Sequence, residues 1–446
     1  MSIEHIDIQP TKELFIYMLT RDVKLEKAII DLIDNSIDAA INNSIANDLK
    51  PFTINIEIDK NKFSINDNCG GIDLDIAKEY AFKFGRPKDI DKKIGNIGQF
   101  GIGMKRTIFK LGKNCLIESK SKKSLFSLNL NIEQWKSNPK DWTFDLNITS
   151  ENDDNSLKDR YTNLEINDLY GSVSESFNEE NFINELKIEI EEAHAYSLAR
   201  GLNIFINGRE LDFHVPELKS DDKINIYKHT YVYYKNTEDE VTATIYAGLT
   251  DRDLTTSGWY IYCNNRLLVS ANQNMTTGWG SNGERNFHHD YAFFRGYVFF
   301  ESKNGDKLPW TTTKDGINFN SDIYQAVLVK MQNDIKPILD FLKDLGKETT
   351  QYNKDPDNVE RKIYEAVHNL LDDGIETNIR DITSNQPLMI PIVNLKSPRK
   401  MGTITFSRPL EELREVKKFL GVDSYKKIGE ASYEYYTENE MEYEWE

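Results

Sequence analysis

Cysteine and long apolar runs are scarce in this sequence. Its three cysteines, Cys69, Cys115 and Cys263, are scattered over 446 residues, so neither a disulfide framework nor a cysteine-rich zinc site is expected. No run of about eighteen apolar residues is present, and the N-terminal residues lack the basic-then-apolar pattern of a signal peptide. These absences predict a cytoplasmic protein without a membrane-spanning helix.

Basic residues are also under-represented. The sequence has 55 lysines and arginines against 73 aspartates and glutamates, which gives a net charge of −18. This balance argues against a protein whose whole surface binds nucleic acid, although a local basic groove remains compatible with it. The adjacent His288 and His289 lack further ligands at metal-binding spacing, which predicts packed or surface histidines rather than a metal site.

One amphipathic helix is predicted over residues 25–42. Apolar residues recur there at helical spacing and leave Asp31, Asn35 and Asp38 together on another stripe. Such a stripe is usually a solvated face, but solvated faces are mostly Lys and Glu, and Asp and Asn are poor helix formers. The polar stripe is therefore a candidate site.

Two glycine-bearing segments follow this helix. After predicted strands over 52–58 and 62–66, residues 67–72 read DNCGGI, with an acidic residue at a strand end before two glycines. Residues 95–105 read GNIGQFGIGMK and run into a predicted helix. Glycines let a phosphate approach the backbone, and a helix N-terminus offers free N–H groups and a positive dipole end. The second segment is therefore predicted to bind phosphate.

The order of these motifs distinguishes them from the commoner phosphate loops. A Walker A loop requires GxxxxGK[ST], and a dinucleotide fingerprint follows directly on a first strand. A polar helix with Asp-x-x-x-Asn, then DxxGG, then GxxGxG resembles the Bergerat-fold GHKL ATPases, which include gyrase B subunits, MutL proteins, ninety-kilodalton heat-shock chaperones, histidine kinases and MORC proteins. The Phe84-Gly85 dipeptide before the second glycine motif looks most like MORC-type members, within a MORC- and MutL-like group that carries a transducer domain.

The resemblance implies roles for the polar helix. Asn35 occupies the position that holds Mg²⁺ on the phosphates, a role that suits an amide oxygen. Asp31 occupies the position of the general base, where relatives normally have Glu. Because Asp is one methylene shorter and a base must reach its water, slow hydrolysis of ATP is expected, with a non-hydrolysing ATP-binding switch as the alternative. Asp34 neighbours the site.

The resemblance also implies which residues contact the nucleotide. Asp67 would accept a hydrogen bond from the adenine amine, Thr162 in a predicted strand over 161–166 would support it, and Cys69 replaces a glycine of many relatives. Residues 73–97 fit the family's mobile lid. The residues implied to bind Mg-ATP are Asn35, Asp38, Asp67, Gly71, Ile72, Gly98, Gln99, Phe100, Gly101, Ile102, Gly103, Met104, Lys105 and Thr162.

The fold class predicted is α+β in three parts. Residues 1–213 would form the Bergerat ATP-binding α/β sandwich, 214–345 an S5-like transducer domain, and 346–446 a small αβ region for partner or self-association. In relatives the transducer sends a basic residue to the γ-phosphate, and Lys314 in LPWTTTKDG, residues 308–316, fits that loop.

Five further elements are predicted from pattern. They are a short helix over 11–20, a strand over 142–148, a turn at Asn264-Asn265, a helix over 323–345 and a strand over 403–406. The resemblance implies that such an N-terminal helix can strap over the nucleotide or a second protomer.

The activity implied is that of an Mg-ATP-dependent ATPase working as an ATP-gated dimerising clamp or switch. A nucleotide-dependent homodimer and a protein partner or effector are expected, and stand-alone members of this kind resemble components of bacterial phage defence. The alternatives are a non-hydrolysing switch and a chaperone-like client binder. A histidine kinase is disfavoured because no helix with a phospho-accepting histidine precedes the ATPase segment.

Overall fold

The computed structural model describes residues 8–84, 97–98, 101–281, 285–356, 359–393 and 402–441. The chain forms two compact units, Met1–Asn394 and Leu395–Glu446. Among the described residues, no helix combines the length and the apolar character needed to cross a bilayer. Cys69, Cys115 and Cys263 are free, buried thiols.

Helices and strands make up most of the described residues. The helices are α1 Lys12–Thr20, α2 Leu25–Asn43, α3 Leu74–Ile76 with a π-helical turn Ala77–Ala81 after it, α4 Gly103–Leu111, α5 Ile132–Ser137, α6 Gly171–Phe177, α7 Glu180–Ala199, α8 Asp322–Asp334, α9 Lys336–Tyr352, α10 Lys362–Asp373, α11 Leu410–Leu420 and α12 Tyr425–Glu440. The strands are β1 Thr53–Asp59, β2 Lys62–Asp67, β3 Gly112–Lys120, β4 Ser124–Asn131, β5 Leu146–Glu151, β6 Tyr161–Leu169, β7 Asn203–Ile206, β8 Arg209–Glu210, β9 Glu217–Ser220, β10 Tyr227–Tyr233, β11 Val241–Leu249, β12 Gly258–Cys263, β13 Arg266–Asn272, β14 Phe294–Ser302 and β15 Ile375–Asn378. The predicted α+β class is confirmed.

The first sheet has the strand order β5-β4-β3-β6-β2-β1-β7-β8. Its neighbouring strands are antiparallel except β1 and β7, which are parallel. Strand β1 alternates buried Ile54, Ile56 and Ile58 with exposed Asn55 and Glu57. A period of two between apolar and polar residues means that one face of the sheet is covered and the other meets solvent.

Helix α2 is largely buried. Its predicted bounds are confirmed to within one residue, and Ile29, Ile33 and Ile37 have no exposed surface. Two of the three residues of the polar stripe are buried as well, with Asp31 2% and Asp38 9% exposed, whereas Asn35 between them is exposed. The stripe is therefore not a uniformly solvated face, and its buried carboxylates require partners inside the protein.

The second sheet has the order β13-β12-β14-β11-β9-β15, with β10 paired to β11. Strands β12 and β13 form a hairpin through Asn264 and Asn265, whose φ angles are +48° and +65°. Two left-handed residues in a two-residue loop match the twist of the strands, and Asn tolerates that conformation. The predicted turn is confirmed. Strand β15 pairs with β9, so residues 375–378 belong to this sheet.

Two predicted elements of this unit have different bounds. The helix over 323–345 is divided into α8 and α9 at Ile335, because Pro337 at the start of α9 has no N–H to continue the ladder. The strand over 142–148 begins only at Leu146. Both the backbone N–H and the hydroxyl of Thr143 donate to Asp141 Oδ1, at 3.0 Å and 2.6 Å, and this turn replaces the start of the strand.

The second unit contains α11 and α12. Helix α11 begins after Pro409 and ends at Gly421, whose φ is +68°. The prediction of a strand over 403–406 is wrong, since these residues are irregular. A strand needs a neighbouring strand to pair with, and the described part of this unit supplies only helices.

Position 71 requires glycine for two reasons, its left-handed backbone conformation and the closeness of the Lys120 backbone. Its φ is +71°, and a Cβ built there would lie 2.1 Å from the backbone oxygen of Lys120. We expect Gly71→Ala to destabilise the protein by about 1–3 kcal/mol more than Gly208→Ala. Gly208 has a φ of +76° with nothing within 4 Å, so it controls for backbone strain alone. Equal melting temperatures for the two variants would contradict the steric argument.

Candidate functional site

The candidate site is a cavity of about 620 Å³. It lies between α2, the π-helical turn and the start of α4, and the loop of residues 311–316 reaches it. Its volume falls within the range of about 300–1,000 Å³ that is usual for small-molecule sites. The predicted site residues that line it are Asp31, Asn35, Asp38, Gly71, Ile72, Gly98, Gly101, Ile102, Gly103, Met104, Lys105 and Lys314.

Asp67 and Thr162 are not among the lining residues. They face each other in the β2–β6 register, and Asp67 accepts hydrogen bonds from the Ser36 hydroxyl at 2.7 Å and the Cys69 backbone N–H at 2.8 Å. Burial raises the pKa of Asp67. Asp67 is therefore hydrogen-bonded to the residue that follows Asn35 on α2, and Asn35 lines the cavity. The predicted Gln99 and Phe100 lie outside the described residues.

The glycines of the second loop lie against the polar face of α2. The carboxylate of Asp38 accepts the backbone N–H groups of Ile97 and Gly98, both at 2.6 Å. A Cβ on Gly98 would lie 2.9 Å from Asp38 Oδ2 and 3.1 Å from Asn35 Oδ1. The loop therefore approaches the polar residues of α2 as closely as only glycine allows.

The N-terminus of α4 borders the same cavity. The helix begins at Gly103 after Ile102, which provides no side-chain cap. A Cβ on Gly103 would lie 3.2–3.4 Å from the side chain of Asp31. The positive end of the helix dipole and its first N–H groups therefore lie beside the predicted base, an arrangement suited to an anion.

Lys105 is buried rather than exposed, at 3% of its surface. Its Nζ atom donates to the backbone oxygens of Ala81 at 2.8 Å and Lys83 at 2.6 Å. Its Nζ also lies 5.6 Å from the ring centre of Phe84. Lys105 thus lines the cavity while its ammonium group holds the residues that follow the π-helical turn.

A buried charge cluster lies beside the cavity, and three of its members, Asp31, Arg106 and Lys314, line it. We define it as Asp31, Asp34, Arg106, His194, Arg266 and Lys314, each at most 6% exposed. Arg106 Nη2 donates to Asp31 Oδ2. Asp31 Oδ1 lies 3.6 Å from Arg266 Nη1 and 3.8 Å from Lys314 Nζ. The predicted base is therefore surrounded by cations.

Asp34 is the second carboxylate of the buried charge cluster. Its Oδ2 atom accepts from Arg266 Nη1 and from Lys314 Nζ, the latter at 2.7 Å. Its Oδ1 atom lies 3.4 Å from His194 Nε2, at a kink of α7. Burial opposes ionisation of Asp34, but Arg266 and Lys314 outweigh it and lower the pKa of the carboxyl. Asp34 is thus ionised and joins α2 to residues of the second sheet and its loops.

The buried charge cluster has more cations than anions. Burial lowers the pKa of His194 to about 4, so the imidazole is neutral at pH 7. Three cationic side chains then face two carboxylates. Because isolated buried charge is strongly disfavoured, the surplus positive charge at the cavity wall favours an anionic ligand.

Local backbone geometry places Arg266 and Lys314, the two cations that are distant in sequence from α2. Arg266 is the first residue of β13, directly after the Asn264-Asn265 turn. Lys314 has a φ of +52° at the tip of its loop, which is closed by a Trp310–Ile317 bridge and by hydrogen bonds from Thr311 and Thr313 to Asp315 Oδ1. The two turns place cations from segments 48 residues apart on the same carboxylate.

Three members of the buried charge cluster, Arg106, Arg266 and His194, were not predicted from the sequence. Arg106 could have been found, because it directly follows the predicted Lys105 in the first turns of α4. Arg266 and His194 had no signal of their own, since one follows an ordinary turn and the other lies in a long helix. Their relation to Asp34 depends on contacts across more than 150 residues.

His288, His289 and Asp290 bring their donor atoms within 4.8 Å of one another. The earlier expectation for the histidine pair did not include Asp290. All three are consecutive, the histidines are exposed, and His288 Nδ1 accepts the backbone N–H of Asp290. Proximity of three consecutive surface residues does not by itself indicate a metal site.

Comparison with known families addresses the part of the chain that forms this cavity. Residues 23–163 match the family described as histidine kinase-, DNA gyrase B- and HSP90-like ATPase. The match supports GHKL membership. The chain has no match among curated proteins. The match supports ATP binding by this segment, whereas the likeness to MORC and MutL members stays a prediction.

The cavity, which is built largely from the segment that matches this family, fits ATP and a hard cation. Gly98 and Gly103 leave room that a Cβ would fill, and α4 presents an N-terminus without a side-chain cap. Asn35 offers an amide oxygen beside the loop, which is a donor type that suits Mg²⁺. The surplus of cations in the buried charge cluster complements a triphosphate.

The affinity for ATP should increase as the pH falls toward 7. Burial raises the pKa of Asp38 to about 7, and burial lowers the pKa of Lys105 to about 7. As pH falls, Asp38 loses negative charge and Lys105 gains positive charge, so both changes favour a triphosphate. We expect about tenfold tighter binding at about pH 7 than at about pH 8.5 by calorimetry. Phosphate itself titrates only near pH 6.

Two variants test the source of this pH dependence. Lys105→Met should lose a substantial part of it, whereas Lys60→Met, at an exposed position, should retain it. An affinity that is constant or weaker at the lower pH would contradict the assignment.

Proposed function

We propose that the protein is an Mg-ATP-dependent ATPase of slow turnover that acts as an ATP-gated dimerising clamp or switch. The observation that carries the proposal is the convergence on one cavity of the glycine loop, the carboxylates of α2 and cations from two parts of the chain. The family match to residues 23–163 supports its nucleotide-binding part.

Each group of residues has a proposed task. Asp67 would read the adenine amine, and the N–H groups of the glycine loop and α4 would bind phosphate oxygens. Mg²⁺, held through the amide oxygen of Asn35, would supply charge neutralisation on the phosphates. Lys314 would contact the γ-phosphate and thereby relate the nucleotide state to the second sheet.

The hydrolysis step assigns Asp31 as the general base. A water oxygen forms a bond to the γ-phosphorus while the bond from that phosphorus to the β–γ bridging oxygen breaks. The bridging oxygen keeps the electron pair as part of ADP, and Asp31 accepts the proton of the water. The short Asp side chain and its cationic neighbours both favour a low rate.

The clamp is supported by helix α1. Lys12 anchors it through hydrogen bonds from Nζ to three backbone oxygens, those of Trp135, Asn138 and Asp141. Leu14, Tyr17 and Met18 on the same helix are 50%, 55% and 68% exposed. An anchored helix with apolar residues in solvent is suited to contact a second protomer.

A non-hydrolysing ATP-binding switch that recruits a partner effector is the second candidate. The hydrogen bond from Arg106 to Asp31 favours it, because a carboxylate bound to a guanidinium is a weak base. In that case ATP would act only by stabilising one conformation. A chaperone-like client binder and a role in phage defence stay predictions.

Calorimetry with Mg-ATP and a phosphate-release assay on the same preparation test the proposal. The wild type should bind ATP and release phosphate slowly, and light scattering should show dimers on ATP addition. Asn35→Ala should lose the dependence of binding on Mg²⁺, with affinity lowered about tenfold or more, while Asn61→Ala at an exposed turn should not. Binding without release would establish the switch, and absence of binding would reject both candidates.

A further inference from the structure

The ion pair between Arg106 and Asp31 presents a problem for catalysis. Arg106 Nη2 donates to Asp31 Oδ2, and both side chains are at most 4% exposed. A carboxylate oxygen that accepts a hydrogen bond from a guanidinium is less accessible to a water molecule. If this pair persisted with ATP bound, Asp31 Oδ2 would face Arg106 rather than the attacking water.

Arg106 also has a hydrogen-bond donor without a partner among the described residues. Its Nε atom is buried and has no hydrogen-bond partner among the described residues, and the same is true of Asp31 Oδ1. Buried polar groups are rarely left without partners, so an unpaired guanidinium donor at a cavity wall indicates a ligand acceptor. Arg106 is itself a lining residue, three positions after Gly103 in α4.

The charges of the cluster point to the same ligand. Arg106, Arg266 and Lys314 face only two carboxylates, because His194 is neutral at pH 7. A phosphate oxygen beside Arg106 would compensate the surplus. Asp31 would still lie 3.6 Å from Arg266 and 3.8 Å from Lys314, so its carboxylate would keep cationic neighbours after losing Arg106.

We propose that Arg106 is a positioning residue that exchanges Asp31 for the terminal phosphate of ATP. Without nucleotide it holds the carboxylate of Asp31 and suppresses its function as a base. When ATP occupies the cavity, the guanidinium binds the γ-phosphate and releases Asp31 to face the attacking water. This inference rests on the proposed function, and it adds a dependence of the base on the third phosphate.

The exchange makes ATP and ADP distinguishable through one side chain. Only ATP has the terminal phosphate that Arg106 would bind, so Arg106→Gln should lower the affinity for a non-hydrolysable ATP analogue about tenfold or more and that for ADP less than about threefold. Arg106→Lys keeps the charge without the planar fork and should recover part of the preference for the analogue. Arg21→Gln, on an arginine 60% exposed, is the matched control.

A double-mutant cycle tests the competition directly. Asp31→Asn removes the charge that competes for Arg106, so it should tighten binding of the ATP analogue about threefold or more. In the Arg106→Gln background the same substitution should give no gain.

The outcomes separate this inference from the proposed function. If the wild type binds no nucleotide, the proposed function fails. If the wild type binds ATP but Arg106→Gln weakens ATP and ADP equally, or neither, Arg106 has only a structural role and the exchange is wrong. Circular dichroism establishes that each variant is folded, and Arg106→Lys supplies the same comparison should Arg106→Gln unfold.

Discussion

Phosphate release should fall by about 100- to 10,000-fold in Asp31→Asn, the range attributed to a general base. Asn is nearly isosteric with Asp but cannot accept the proton of water at neutral pH. Since Asp31 lies at the wall of the cavity beside Gly103 and Arg106, its replacement by a neutral side chain should not weaken the binding of ATP. The measurement is phosphate release under saturating Mg-ATP, beside calorimetry for binding.

The matched control for this experiment is Asp22→Asn, because the side chain of Asp22 is 81% exposed. Its phosphate release should equal that of the wild type. Release by Asp31→Asn at the wild-type rate would show that another group accepts the proton, and the proposed role of Asp31 would have to be abandoned.

Asp34→Ala should lower the free energy of unfolding by about 3–5 kcal/mol, the cost of removing one partner from a buried ion pair. The carboxylate of Asp34 has no exposed surface and accepts from both Arg266 and Lys314. Without it, three cations share the buried carboxylate of Asp31. Urea unfolding of the two proteins at pH 7 measures the difference.

An anion should partly rescue this variant. Phosphate or ATP would supply the negative charge that Asp34 no longer provides, so either ligand should raise the melting temperature of Asp34→Ala more than that of the wild type. Asp22→Ala, at an exposed position, should change stability by no more than about 0.5 kcal/mol. A loss below about 1 kcal/mol in Asp34→Ala would mean that water already reaches the buried charge cluster.

Local patterns predicted the elements that position the site. The apolar period of α2, the strand ends at Asp67 and the left-handed turn at Asn264-Asn265 all depend on residues within a few positions of one another. These elements could be predicted because helical spacing, turn conformation and the conformational freedom of glycine depend only on residues close in sequence. The predicted strand over 403–406 failed because a strand also requires a partner strand, which a local pattern does not supply.

The interior of the candidate site depended on the tertiary structure. The sequence predicted that Lys314 would reach the nucleotide site, and the structure places its side chain at the cavity but on Asp34, which the sequence ranked only as a neighbour. Lys105 likewise binds the carbonyls of residues 81 and 83. Which acceptor a long flexible side chain selects depends on every group within its reach, and sequence spacing does not contain that information.

By itself, the sequence determined that this chain carries an amphipathic helix with a polar stripe and glycine loops suited to phosphate, and that it forms an α+β fold. Only the tertiary structure decided how the charges are paired. Arg106, Arg266 and His194 come from three different elements, and each lies more than 60 residues from the α2 carboxylates. Electrostatic partners are selected by distance and burial after folding, so a buried ion pair between remote segments leaves no periodic signal in the chain.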